Sequence, residues 1–136
     1  MYAAGHGVPR DLEESRRWFS KAARYGRPDA QYKLGLIYAR GLGVEKNPRR
    51  AINWFGKSAK QGYGPAQFQV GLMYQQGEGV TQSNIKAYAW LHNAAVKGVP
   101  EAQPLLDEIA GTLSADELNE ATKLSADYRR RFRDRR

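Results

Sequence analysis

The chain has 136 residues, 41% of them hydrophobic, which fits one domain with a modest core. It has no cysteine, which excludes disulfides, thiolate metal sites and thiol catalysis, and no apolar run long enough to span a membrane. The net charge of +8 is uneven: +6 over residues 30–65, zero over 66–101, −5 over 102–128 and +5 over 129–136.

The predicted elements follow a 36-residue period. Ala30, Gly35, Tyr38, Gly41, Gly43, Val44, Ala51, Trp54, Ala59 and Gly62 recur as Ala66, Gly71, Tyr74, Gly77, Gly79, Val80, Ala87, Trp90, Ala95 and Gly98. An incomplete copy precedes them, with Tyr2, Gly5, Gly7, Val8, Trp18, Ala23 and Gly26 in phase. A period of this size predicts a solenoid, whose units bury their apolar faces only by stacking.

In the first copy, Met1 aligns with Ile37 and Met73, so the chain is expected to begin near the end of a first helix. Residues 12–25 read as a second helix, with Asp11 and Glu14 as a capping box. With its hairpin partner missing, the face around Trp18, Phe19 and Ala22 is expected to lie uncovered and to favour self-association or fraying.

In the second copy, Ala30, Leu34, Ile37 and Tyr38 fall on one helical face. Gly35 beside them predicts a close approach of another helix, and Gly41 predicts a left-handed cap. The GLGV segment makes a short loop with Val44 tucked beneath it. Asn47 and Pro48 then open a second helix carrying Ala51, Trp54, Phe55, Ser58 and Ala59 on its apolar stripe. Gly62 ends it. The third copy repeats this plan over residues 66–101, with Ser83 at the cap. The recurring Tyr38, Tyr74, Trp54 and Trp90 read as core.

A fourth copy starts at Ala102-Gln103 and diverges. Pro104 fits only a first helical turn, and Leu105, Leu106, Ile109 and Leu113 continue the apolar face. Ser114 with Glu117 spells a capping box for a last helix bearing Leu118, Ala121, Leu124, Ala126 and Tyr128. Residues 129–136 read as a basic tail, with Asp127 placed to pair with Arg131.

The landmarks A-x-x-x-L-G-x-x-Y-x-x-G-x-G-V, followed by K/R-A-x-x-W-x-x-x-A-A-x-x-G, resemble the Sel-one-like repeat, a tetratricopeptide relative. The resemblance covers roughly residues 1–103. It implies an all-α, right-handed α-solenoid of stacked helix-turn-helix hairpins acting as an adaptor for protein complexes, often in bacteria. The domain then divides into a partial repeat (1–29), two full repeats (30–65 and 66–101), a capping hairpin (102–128) and the basic tail (129–136). By analogy with tetratricopeptide hairpins, the first helix of each unit lines a concave surface. This makes Tyr32, Leu36, Arg40, Phe68, Leu72, Gln75 and Gln76 the expected contacts for a protein or peptide partner.

The alternative partner is nucleic acid or another polyanion, held by the basic repeat and by Arg129, Arg130, Arg131, Arg133, Arg135 and Arg136. The basic repeat (Lys33, Arg40, Lys46, Arg49, Arg50, Lys57 and Lys60) could instead meet an acidic protein surface. His6 and His92 lie in different repeats with no acidic partner at ligand spacing, so neither a metal nor another cofactor is expected. The glycine loops follow no strand and spell no phosphate-binding pattern. Nothing resembles a nucleophile elbow, so the expected function is non-enzymatic.

Overall fold

A computed structural model describes residues 8–133. Seven helices follow one another: α1 (Val8–Arg24), α2 (Pro28–Arg40), α3 (Pro48–Ala59), α4 (Gly64–Gln76), α5 (Asn84–Val96), α6 (Ala102–Ala110) and α7 (Ala115–Arg133). Among the described residues there is no strand, and no helix is long and apolar enough to cross a membrane.

Local chemistry sets the boundaries of the hairpins. The Asn47 side chain accepts from Arg50 N at 3.1 Å, and Ser83 accepts from Lys86 N at 3.1 Å, each an N-cap worth about 1 kcal/mol. Gly41 (φ 69°) and Gly77 (φ 71°) close α2 and α4 in the left-handed conformation. Ser114 and Glu117 bond reciprocally at 3.1 and 2.9 Å, completing the expected capping box of α7. Helix α1 starts at Val8, three residues before Asp11, so Asp11 lies inside the helix and not at the expected N-cap position, and its side chain lies outside the described residues.

Each hairpin packs on the next. Ala51, Ile52, Phe55, Val70, Met73 and Trp90 form the central cluster, which joins α3, α4 and α5. Ala22, Ala23, Ala30, Leu34 and Ile37 join α1 to α2, with Val44 half-buried against them as expected. Ala87, Leu91, Leu106 and Ile109 join α5 to α6. Gly35 and Gly71 mark the closest crossings. A Cβ at Gly35 would lie 2.6 Å from the Phe55 ring, and one at Gly71 2.6 Å from Leu91 Cγ. That is the close approach the glycines predicted.

Two expectations of burial need correction. Trp90 is buried beneath Tyr128 and Phe132 of the last helix, but Tyr38, Trp54 and Tyr74 are only half-buried. Arg50 sits over the Tyr38 ring and Lys86, its repeat counterpart, over Tyr74. In the first hairpin Trp18 is 68% exposed, whereas Ala22 is buried against α2 and is not part of an open face.

The other correction is at the C-terminal end. α7 runs on through Arg133, across the division expected after Tyr128, and lies against α5. Tyr128 and Phe132 stack on Trp90 at centroid distances of 4.6 and 6.0 Å, so the start of the arginine run is structured helix.

Candidate functional site

Tyr32 of α2 and Phe68 of α4 occupy the same position in successive repeats, 36 residues apart. The fold brings them to one open cleft of about 500 Å³, with Pro65 and Gln69 beside them and the turn Lys97–Glu101 opposite. The cleft draws on three consecutive units: α2, α4 and the turn that leads into α6.

Its aromatic floor is held from behind. The Tyr32 ring lies 5.7 Å from Phe55 and 5.3 Å from Tyr63, both tilted. Burial, with the Asp29 carboxylate and Tyr32 nearby, raises the phenol of Tyr63 above its ordinary range, so it stays neutral at physiological pH. Phe68 packs its inner edge on the cluster of Ala87, Leu91, Leu106 and Ile109. The turn opposite carries both charges, Lys97 at its start and Glu101 at its end.

The other expected contacts do not line this cleft. Leu36 is half-buried against the central cluster and Leu72 is half-buried on α4. Arg40 is exposed at the end of α2, and Gln76 at the end of α4. Gln75 accepts from Gln82 Nε2 through its carbonyl at 3.2 Å, which ties it to its own hairpin loop. Sequence reasoning missed the Lys97–Glu101 turn. The available signal was a break in the period, since Val99 and Pro100 stand where the preceding repeat has Tyr63 and Gly64.

A second cleft, of about 520 Å³, lies at the hairpin-loop end, where Gly77, Gly79, Val80 and Thr81 face Arg49, Ile52 and Asn53 of α3. It contains no aromatic side chain and none of the expected contacts.

The arginines divide by environment. Arg129 Nη1 donates to Asn93 Oδ1 at 2.8 Å and Ser125 Oγ at 3.0 Å, and lies 3.4 Å from His92 Nδ1. Ser125 Oγ also donates to Asn93 Oδ1 at 2.7 Å and sits 3.0 Å from His92 Nδ1. Arg129 therefore pins α7 to α5 and does not belong to a free tail. Burial, reinforced by the Arg129 charge, lowers the pKa of His92. Arg130 pairs with Asp127, one residue short of the expected Asp127–Arg131 pair. Arg131 lies over the Tyr128 and Phe132 rings. The side chain of Arg133, together with Arg135 and Arg136, lies outside the described residues, as does His6.

Two full hairpins, α2–α3 and α4–α5, with capped helices, glycine crossings at Gly35 and Gly71 and a shared phase, define the repeat type. The family model described as Sel1 repeat matches residues 1–26, 28–63 and 64–99. The chain belongs to the Sel1 repeat family. Among solved structures, it is similar to a protective antigen present in uropathogenic Escherichia coli strains and displaying an SLR fold. That match has 32% identity and a TM-score of 0.85, over 89% of this chain and 27% of that one. It is also similar to a Sel1 repeat protein from Oxalobacter formigenes, with 34% identity and a TM-score of 0.69, over 79% of this chain and 80% of that one. The chain thus spans about a quarter of the length of the first of these structures. No curated protein matches it. Sel1 repeats build α-solenoids, and family membership carries that architecture to this chain.

Proposed function

We propose that the chain docks a partner polypeptide in the cleft between Tyr32, Phe68 and the Lys97–Glu101 turn. The observation that carries this reading is the pairing of two repeat-equivalent aromatic side chains from successive units on one open surface. Aromatic rings fixed by packing behind them supply contact area at little entropic cost. The Lys97 and Glu101 rim charges would set the orientation of the bound segment rather than most of its affinity.

The test is a comparison of partner capture by the wild-type chain with capture by Phe68→Ala and Lys97→Glu. Lys97 is exposed and a carboxylate in its place brings no new donor, so Lys97→Glu should leave the thermal midpoint nearly unchanged while weakening capture. Phe68→Ala should weaken capture about tenfold or more, as loss of an interface anchor does. If both variants retain full capture, the partner does not use this cleft.

A further inference from the structure

We propose that the chain carries a second interaction surface, formed by Lys57 of α3, Lys60 at its C-cap and Arg131 of α7, that docks an acidic polypeptide segment. Lys57 and Lys60 lie one helical turn apart and are exposed, as is Arg131. The Lys60 ammonium sits 5.8 Å from the centre of the Phe132 ring, and the Arg131 guanidinium 5.7 Å from the same ring. Two cations more than half the chain apart in sequence are thus gathered around one aromatic side chain. Lys57 rests 4.7 Å from the centre of the Trp54 ring. These cation–π contacts hold the charged groups in place without neutralising them.

The sequence around the two lysines supplies almost no anions, and Asp134, three residues beyond Arg131, lies outside the described residues. Helix α3 has no acidic residue, and Glu78 is the only acid between Lys46 and Pro100. On α7, Asp127 is engaged by Arg130. Among the described residues, none of Lys57, Lys60 and Arg131 has a carboxylate within ion-pair distance. Among the described residues the result is a positive patch without a carboxylate partner, which attracts a negatively charged segment.

The aromatic geometry separates acidic protein from nucleic acid. Single-stranded nucleic acid gains much of its binding beyond phosphate contacts from open ring faces on which bases stack. Here Trp90, Tyr128 and Phe132 stack on one another, and cations lie over Tyr128 and Phe132. Carboxylates need only the ammonium and guanidinium groups, which remain exposed. None of these residues lines the cleft proposed above, so the two surfaces stand or fall separately.

The experiment titrates the full chain against a short fluorescein-labelled oligoglutamate and against a labelled single-stranded oligonucleotide of the same length. The expected result is tighter binding of the oligoglutamate, weakened at least about tenfold in the triple variant K57E/K60E/R131E, as loss of three surface ion pairs implies. The neutral triple variant K57Q/K60Q/R131Q should fall between the two, and circular dichroism should show both folded. A charge-matched control, R24E/K33E/K46E, should lose little, because those exposed cations lie elsewhere. Phe68→Ala should leave oligoglutamate binding unchanged. Equal losses in the control and the triple variant would overturn the proposal in favour of net charge alone. Tighter binding of the oligonucleotide, or no measurable oligoglutamate binding, would overturn it as well.

Discussion

Gln31 and Gln67 show how a single side chain ties one hairpin to the next. They occupy equivalent positions, both are buried, and each donates Nε2 to a carbonyl of the preceding hairpin, Ala23 O at 3.2 Å and Ala59 O at 3.3 Å. Their acceptor ends differ. Gln31 Oε1 accepts from Gln61 Nε2 at 2.8 Å, and that amide also reaches Gly26 O at 2.9 Å. The repeat counterpart of Gln61 is Lys97, and Gln67 Oε1 is buried without a partner. A buried acceptor left unmade costs about 1–3 kcal/mol. Lys97→Gln should therefore stabilise the chain by about 1 kcal/mol, read as a higher urea midpoint at unchanged slope. An unchanged or lower midpoint would show that the third repeat cannot reproduce the Gln61 geometry. The Ala-Gln pair recurs visibly in the sequence, but its burial does not. A polar residue beside an apolar face reads as surface until the facing carbonyl is known.

At the scale of the helices, the spacing was legible because its determinants are local. Caps at Asn47, Ser83 and Ser114 and terminal glycines act within a few residues. Gly35 and Gly71 were legible as crossings because mid-helix glycine is costly without a packing reason. Gly56 offers the contrast. It also lies inside a helix, yet a Cβ there would meet nothing within 4 Å. Gly71→Ala should destabilise by about 1–3 kcal/mol through overpacking against Leu91. Gly56→Ala should stabilise by about 1 kcal/mol through helix propensity. Thermal or urea unfolding of the two variants checks the pair, and shifts of the same sign would contradict the packing described. The ends of α1 and α7 were less legible. Asp11 looked like a cap, but helical backbone already begins at Val8. The arginine run looked like a solvated tail, but stacking on Trp90 carries α7 to Arg133.

For the molecule as a whole, α7 is the element that closes the stack over α5, and its docking depends on a polar network as well as on rings. His92 faces Ser125 and Arg129 of α7 and stacks on Tyr88 of its own helix at 6.1 Å. Burial, with the Arg129 charge, lowers its pKa below the ordinary value of 6.5. As pH falls below that value, the unfolded chain takes up a proton that folded His92 refuses, so stability declines between the unfolded and folded pKa values. Above 6.5 the group is neutral in both states and contributes no slope. The thermal midpoint should therefore drop as pH is lowered from neutrality through 6.5, and His92→Gln should remove most of that slope. A midpoint flat across this range in the wild-type chain would contradict the placement of His92 against Arg129.

The 36-residue period by itself determined the repeat type, the phase of the hairpins, their caps and the glycine crossings, because each depends on residues a few positions apart and on their regular recurrence. Tertiary structure decided the rest. It brought Tyr32 and Phe68 together with the Lys97–Glu101 turn along one cleft and left the other five residues of that expected set outside it. It turned Arg129 into a bridge between α5 and α7, and it gathered Lys60 and Arg131 around one ring. Those placements depend on how helices far apart in the chain stack, and no local spacing encodes that geometry.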